Sequence, residues 1–296
     1  MQSRLMMIFT RSPLHCGTGH ARGAVDLPIA REGVSGLPMI PSSGLKGALR
    51  NAALDARLGR RVSDLFGPSV REVAESPRAG ELSFGDAALV ALPVSALSGV
   101  FAYVTSPYVL SQLSLDVRSM GGKAPDVPQL TSAKNKALVT QGSVITSGAA
   151  SERRLFVSEY SFEVEQSAAV TQWAERLSQW LSLDAYTSDS IKSRLCVVDD
   201  SSFRDLVARG IETHVRVSLD RDTRTAANGA LWTEENLPKG ALLYSVCSAT
   251  ANQRGRSAAD AYADLAEVFK GEVQVGGNAT IGRGRCRMNL VEVAHG

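Results

Sequence analysis

Short apolar runs alternate with longer amphipathic segments along this chain. Runs of branched and aromatic residues bounded by turn residues predict strands at residues 4–10, 82–92, 99–106, 153–165, 194–200, 213–220, 230–238, 242–249 and 285–293. Apolar residues at helical spacing predict helices at residues 43–59, 201–210 and 258–270, and one after residue 165 whose shared face carries Trp173, Leu177, Trp180 and Leu181. This aromatic stripe indicates core packing and not a cofactor site.

The order of these elements favours an α+β fold. Strand–helix–strand units at both ends of the chain predict a ferredoxin-like sheet with insertions. Residues 12–38, rich in Gly and Pro, predict a long loop, and loops of this length in compact domains are usually functional or disordered. Residues 117–150 predict an irregular insertion. Residues 212–238 predict a long β-hairpin with a polar tip at residues 221–229.

The composition is that of an ordinary soluble globular protein. The chain has 296 residues, of which 44% are hydrophobic and 21% charged, enough for one large core or two modest ones. Its four cysteines are far apart and form no CxxC pair, so neither a disulfide framework nor a zinc site is indicated. The N-terminal apolar run is too short for a signal peptide, and no window approaches a membrane span. We therefore expect a cytoplasmic protein that does not associate with a membrane.

Positive charge is concentrated near the N-terminus, although the net charge is only +2. Residues 1–61 hold nine Lys or Arg against three Asp or Glu. A basic segment on a nearly neutral chain indicates a local anion site. An amphipathic helix with a solvated basic face is the alternative, and charge alone slightly favours that alternative.

The segment IPSSGLKGALR, residues 40–50, predicts a turn that leads into a short basic helix. One of its two serines can cap the helix, and Lys46 and Arg50 lie four residues apart on one exposed stripe. The free N–H groups near Ser43 and Gly44, together with the two cations, are suited to binding phosphate.

A glycine- and arginine-rich segment, GGNATIGRGRCR, lies at residues 276–287. Glycine allows close approach of the backbone to a phosphate chain, and guanidinium groups bind phosphate well. We expect Gly276, Gly277, Arg283 and Arg285 to form the second wall of a groove, although a tight turn would also explain the glycines. Two such elements at opposite ends of one chain predict a polyanion-binding protein.

Several segments together resemble the RAMP superfamily, and more narrowly the repeated backbone subunit of the type III-B CRISPR (Cmr) effector complex. The segments that carry this resemblance occur in the family's order over nearly the whole chain: HCGTG in the long loop, DLPIARE at residues 26–32, IPSSGLKGALR, LSFGDA at 82–87, FAYVTSPYVLSQL at 101–113, ALWTEENLP at 230–238 and GGNATIGRGR.

The resemblance implies a single RAMP-type domain over residues 1–296, with an RRM-like core and a projecting hairpin thumb. It implies that copies of the chain assemble head to tail along a guide RNA, with other Cmr-type subunits as partners. Each copy is then expected to cleave complementary single-stranded target RNA at regular intervals by metal-assisted attack of a 2′-OH. Mg²⁺ or Mn²⁺ is the implied cofactor.

The resemblance also implies site residues. Asp26 matches the family's catalytic aspartate and is the expected metal ligand, although an Asp at this position could equally cap a turn. His15 matches a histidine of the same loop, with a hydrogen-bonded loop histidine as the alternative. Glu234 is a looser match to an acid near the WxEE segment. The expected wedge between bases carries Arg221 and Arg224 at the hairpin tip, unless this is an ordinary surface hairpin.

Three functions remain open from the sequence. The first is a metal-dependent, guide-directed RNA endonuclease subunit, which the presence of Asp26 favours. The second is a non-catalytic filament subunit that only binds guide RNA. The third is a repeat-RNA processing nuclease that acts alone and depends on His15 instead of metal.

Overall fold

The computed structural model describes residues 2–19, 25–69, 78–130, 135–149, 152–219, 226–251 and 255–293. Its strands are β1 (Gln2–Thr10), β2 (Met39–Ile40), β3 (Leu82–Phe84), β4 (Ala87–Ser95), β5 (Phe101–Thr105), β6 (Lys136–Val139), β7 (Thr146–Ser147), β8 (Arg154–Val157), β9 (Tyr160–Gln166), β10 (Leu195–Val197), β11 (Glu212–Leu219), β12 (Ala226–Asn236), β13 (Leu242–Ala249), β14 (Val273–Gln274) and β15 (Arg285–Val291). Its α-helices are α1 (Ser42–Asp55), α2 (Arg61–Phe66), α3 (Pro107–Ser119), α4 (Ala168–Leu181), α5 (Ala185–Arg194), α6 (Asp200–Gly210) and α7 (Ala258–Val268). A 3₁₀ turn covers Ala279–Ile281.

Strands from both ends of the chain form the centre of the main sheet. They are ordered β15-β1-β13-β4, and every neighbouring pair is antiparallel. Helix α1 lies between β1 and β4 in the chain, and α7 lies between β13 and β15. Two strand–helix–strand units interleaved in this order form a ferredoxin-like sheet, so the expected fold class is confirmed.

The second half of the sheet begins where the C-terminal part of β4 pairs with β5. Its order is β4-β5-β10-β6-β9-β8-β7, with parallel pairing between β5 and β10 and between β6 and β9. The hairpin of β11 and β12 forms a separate two-stranded sheet, with Glu212 opposite Asn236 and His214 opposite Glu234.

The strand β1 is buried on both faces and divides two hydrophobic cores. Met6 and Ile8 join the core that also contains apolar residues of α1 and α7. The alternate residues Leu5 and Met7 join the other core with Trp173 of α4. Side chains alternate across a strand, so one uninterrupted apolar run serves both layers. The whole predicted stripe of α4 is buried, namely Trp173, Leu177, Trp180 and Leu181.

The insertion expected to be irregular contains ordered structure. Residues 117–119 end helix α3, and β6 and β7 lie between residues 136 and 147. The strand predicted at residues 153–165 is two strands, β8 and β9, because a turn with Ser158 at φ 50° separates them. Helices α2, α3 and α5 were not expected from the sequence, and α1 ends at Asp55, four residues earlier than predicted.

The four cysteines are free and buried. Burial raises the pKa of the Cys16 thiol to about 11. In the described ranges, no helix combines the length and apolar character needed to cross a bilayer.

Candidate functional site

The long loop folds back on itself and docks onto the hairpin. Its two arms, residues 14–18 and 27–31, pair through a hydrogen bond from Ala30 N–H to the Cys16 carbonyl at 2.8 Å. The second arm also runs parallel to β12: Leu27 N–H donates to the Thr233 carbonyl, and Glu235 N–H donates to the Leu27 carbonyl, each at 3.0 Å. These backbone bonds bring the segment DLPIARE against WTEEN.

Asp26 lies at the start of this docked arm, exposed to solvent. Its Oδ2 accepts hydrogen bonds from Thr233 N–H at 2.8 Å and from the Thr233 hydroxyl at 3.0 Å. The backbone and side-chain hydrogen bonds from Thr233 lower the pKa of Asp26 below its ordinary value. Within the described ranges, no other residue donates to Oδ1. Asp26 is therefore an anion with one oxygen fixed and the other available.

Glu235 anchors the same arm from the same face of β12. Its carboxylate accepts from Ile29 N–H at 3.1 Å and pairs with Arg31 at 3.2 Å. Both side chains of this pair are largely buried. The arm that carries Asp26 is thus held at both ends.

His15 is 9% exposed and faces the hairpin base. Its Nδ1–H donates to the Glu235 carbonyl at 2.7 Å, so Nε2 bears the lone pair when the ring is neutral. A Cβ at Gly17 would lie 2.7 Å from this Nε2. The structure therefore places His15 in a packed setting and gives it the hydrogen bond expected of a loop histidine.

Glu234 is 2% exposed and points away from Asp26. Neighbouring residues of a strand face opposite sides, so Glu234 lies across β12 from Thr233 and its Asp26 partner. Arg216 and Asn236 donate to its Oε1 at 3.2 Å each, and Asn278 donates to its Oε2 at 3.0 Å. Burial raises the pKa of Glu234, but the hydrogen bonds from Asn236 and Arg216 and the Arg216 charge outweigh it, and the pKa lies below its ordinary value. Glu234 fastens the glycine-rich segment to the hairpin.

The glycine-rich segment packs tightly against the first arm of the loop. Gly277 N–H donates to the His15 carbonyl at 2.9 Å. Gly276 has φ 72°, and a Cβ there would lie 2.1 Å from the same carbonyl oxygen. Of the two predicted phosphate ligands, Arg285 pairs with Glu272 at 2.6 Å and remains exposed, whereas Arg283 is mostly buried 4.0 Å from Glu212.

The N-terminus of α1 differs from the prediction in its cap. Pro41 is the N-cap residue, neither serine caps through its side chain, and Ser42 N–H donates instead to Asp86 Oδ1 at 2.7 Å. The sequence did not reveal this contact because Asp86 lies on a distant turn. Ser43 and Gly44 are exposed.

The two cations of α1 have different surroundings. Arg50 donates to the Gly67 carbonyl and so ties α1 to the end of α2. Both side chains are half-buried, and Nη1 of Arg50 is engaged. Lys46 forms no hydrogen bond or ion pair with any described residue.

Helix α1 and the glycine-rich segment line the same groove. The groove has a volume of about 560 Å³ and is lined on one side by Gly44, Gly47 and Asn51, and on the other by Gln274 and Gly276. The structure thus brings Gly44 and Gly276 together, as two walls expected from the sequence. Arg221 and Arg224 lie outside the described residues.

The acids of the site do not form a preassembled metal cage. Among the described residues, no three His, Cys, Asp or Glu side chains converge on one point. A single exposed carboxylate with one available oxygen still fits Mg²⁺, because this ion keeps several waters and takes one or two carboxylates together with substrate phosphates. Asp26 is the residue that meets this requirement.

The sequence did not single out Thr233, Glu235 or Asn278. All three lie in the segments ALWTEENLP and GGNATIGRGR that carry the family resemblance, but each contacts a residue far away in the chain. The one available signal was the pairing of an acid-rich segment, WTEEN, with the arginine of DLPIARE.

Comparison with known proteins identifies the family. The RAMP superfamily profile matches residues 8–287. The chain belongs to the RAMP superfamily. Among curated RAMP proteins, it is similar to the CRISPR system Cmr endoribonuclease Cmr4 of Pyrococcus furiosus, with 30% identity over 301 residues that cover 100% of this chain and 98% of the relative.

Solved RAMP structures agree with this assignment. A crystal structure of oligomeric Cmr4 from Pyrococcus furiosus superposes with a TM-score of 0.71 at 26% identity, covering 99% of each chain. A chain of the Type III-B Cmr-beta complex bound to cognate target RNA gives a TM-score of 0.75 at 22% identity, covering 98% of this chain and 97% of that one. This second likeness shows the shared fold. The resemblance to Cmr backbone subunits is confirmed.

Proposed function

We propose that this chain is a backbone subunit of a type III-B CRISPR ribonucleoprotein that cleaves single-stranded target RNA paired with its guide RNA. The relative named an endoribonuclease matches it from end to end. The observation that carries the proposal is Asp26, an exposed, ionised carboxylate. Its Oδ2 is fixed by Thr233, and its Oδ1 accepts no hydrogen bond from another described residue.

The chemistry requires little from the protein beyond positioning. RNA carries its own nucleophile, and cleavage occurs when the 2′ oxygen attacks the adjacent phosphorus in line with the departing 5′ oxygen. The 2′-OH proton passes to a base, the P–O5′ bond breaks, and the 5′ oxygen takes up a proton. The products are a 2′,3′-cyclic phosphate and a 5′-hydroxyl. Asp26 Oδ1 is proposed to hold a divalent cation, and a water molecule is proposed to accept the first proton.

A divalent cation is the proposed cofactor, with Asp26 Oδ1 and RNA phosphate oxygens as its ligands. Bound there, Mg²⁺ or Mn²⁺ would neutralise charge that develops on the phosphate. His15 stays a candidate proton donor or acceptor through Nε2. Glu234 is proposed to act as a structural anchor, because amide and guanidinium donors occupy both its oxygens.

The guide RNA is proposed to follow the groove between α1 and the glycine-rich segment. Gly44 and Gly276 have no side chains and so leave room for a phosphate chain in the groove, whose lining also includes Asp55 and Glu272. Lys46 lies on α1 outside this lining and has no hydrogen bond or ion pair with a described residue. Arg285 is exposed at the same end. Further copies of the chain and other Cmr-type subunits complete the assembly, and the hairpin tip with Arg221 and Arg224 is the proposed wedge.

Replacement of Asp26 tests the proposal. In the complex assembled with guide RNA, Asp26→Ala should abolish cleavage of labelled target RNA while target affinity is retained. Asp189→Asn, on exposed helix α5, is the matched control and should cleave normally. Cleavage at the normal rate by Asp26→Ala would refute the catalytic role of Asp26.

A non-catalytic filament subunit is the second candidate, favoured by the lack of a preassembled metal cluster among the described residues. EDTA distinguishes the two. A cleaving subunit loses its products in EDTA and regains them when Mg²⁺ is added, whereas a purely structural subunit gives no metal-sensitive product.

A further inference from the structure

Three hydrogen bonds join Thr233 to Asp26 in a reciprocal clamp. The Thr233 N–H and hydroxyl both donate to Asp26 Oδ2, at 2.8 and 3.0 Å. In return, Asp26 N–H donates to the Thr233 hydroxyl oxygen at 3.0 Å. The Thr233 hydroxyl is therefore both a donor and an acceptor. Among the described residues other than Asp26 itself, Thr233 is the one whose side chain hydrogen-bonds to the Asp26 carboxylate.

The neighbours of Thr233 fix its position. Glu234 is buried and bonded to three side chains on the opposite face of β12. Glu235 holds Ile29 N–H and Arg31 on the same face as Thr233. Because the two residues that follow Thr233 are held by these contacts, the Thr233 hydroxyl has a fixed position beside an otherwise exposed loop.

We propose that Thr233 is a positioning residue for RNA cleavage: its hydroxyl sets the orientation of the Asp26 carboxylate and directs Oδ1 toward the substrate. An exposed Asp side chain otherwise samples several rotamers. With Oδ2 saturated by two donors of one rigid residue, the carboxylate has one orientation and one reactive oxygen. This inference rests on the proposed role of Asp26 in cleavage.

The expected effect is on the chemical step. A misplacement of about 1 Å in a catalytic group can lower a rate about 100-fold. Loss of the hydroxyl leaves the backbone N–H bond to Oδ2, so the carboxylate is loosened and not released. We expect the single-turnover cleavage constant to fall about 10- to 100-fold, with target affinity unchanged.

Three variants of the guide-bound complex test this. Thr233→Val keeps the size of the side chain and removes the hydroxyl, and Thr233→Ser keeps the hydroxyl. Thr213→Val is the matched control, because Thr213 is exposed on the neighbouring strand β11 and its hydroxyl bonds no described residue, although the residue itself pairs with Glu235 in the hairpin. Cleavage constants, target affinity and melting temperature are measured for each, and a crystal structure of Thr233→Val reports the Asp26 orientation.

Support requires that Thr233→Val lose cleavage with normal affinity and melting temperature, that Thr233→Ser recover it to within about threefold, and that Thr213→Val behave as wild type. Normal cleavage by Thr233→Val overturns the inference. So does a loss that Thr233→Ser does not rescue, or one accompanied by an equal loss in Thr213→Val. Normal cleavage by Asp26→Ala would refute both the proposed function and this inference. An inactive Asp26→Ala together with normal cleavage by Thr233→Val would refute the positioning role alone.

Discussion

Replacement of Gly276 by Ala should disrupt the contact between the glycine-rich segment and the loop that carries His15, and so destabilise the protein. Gly276 has φ 72°, a conformation that L-residues with a side chain rarely adopt. Its added Cβ would lie 2.1 Å from the His15 carbonyl oxygen, which is backbone and cannot rotate away. The two segments must separate, and the hydrogen bond from Gly277 N–H to that carbonyl is lost.

The structure sets the size of this effect. The left-handed conformation costs about 1–2 kcal/mol for a non-glycine residue. Loss of the hydrogen bond adds about 1 kcal/mol. We expect the free energy of unfolding to fall by about 2–3 kcal/mol. A chain of this size loses about 2–4 °C of melting temperature per kcal/mol, so the melting temperature should fall by about 4–12 °C.

Gly282 supplies a matched control in the same segment. Its φ is 79°, but a Cβ there would meet nothing within 4 Å. Gly282→Ala should therefore show the conformational cost alone, about 1–2 kcal/mol. Urea unfolding curves of the two variants and the wild type give the comparison. Equal destabilisation by the two substitutions would refute the contact with His15 as the cause.

Three further predictions follow from the site. Lys46→Ala should weaken guide-RNA binding and reduce the slope of log K against log salt by about 1, without loss of stability. Arg50→Ala should lower the free energy of unfolding by about 1 kcal/mol, because the hydrogen bond to the Gly67 carbonyl is lost. Equal stability of the two variants would contradict this. The Cys16 thiol, buried and with its pKa raised to about 11, should react with a thiol reagent at pH 8 only after unfolding, and rapid labelling of the folded chain would show that it is accessible. Glu234→Gln should destabilise the chain by about 3 kcal/mol at neutral pH. Because the folded pKa of Glu234 lies below its ordinary value of 4.5, this difference should be constant above pH 4.5 and shrink as the pH falls through the folded pKa; a difference that grows in acid would contradict the assignment.

The sequence predicted best those elements that are buried on both faces or capped locally. The strands at residues 4–10 and 242–249 were located because apolar residues dominate both, without interruption from Leu5 to Phe9 in the first. Helix α7 was located because its apolar positions are regular, and its start carries a capping box between Ser257 and Asp260.

The elements that were missed lack such local signals. Helix α5 buries only Ser190 and Ile191, so it has almost no apolar periodicity. Strand β6 has four residues within a polar stretch and is stabilised by pairing with β9 and β10 on either side. Their structure is imposed by neighbours, which is a property of tertiary context and not of propensity.

The candidate site divides in the same way. The sequence indicated Lys46 and the glycines, because charge and the small size of glycine are local properties, and it indicated Asp26 only through the resemblance to the RAMP superfamily. It could not show that Arg50 is engaged with Gly67 or that the acid of Asp86 meets the start of α1, since those partners come from other turns of the chain.

The sequence by itself determined that this is an α+β chain with a basic N-terminal segment and the motifs of the RAMP superfamily. The tertiary structure alone decided which polar group meets which. Asp26 and Thr233 are 207 residues apart in the chain, and Glu234 meets Asn278 across 44 residues. No sequence pattern links the two members of such a pair, because the position of an irregular loop is set by the surface against which it packs.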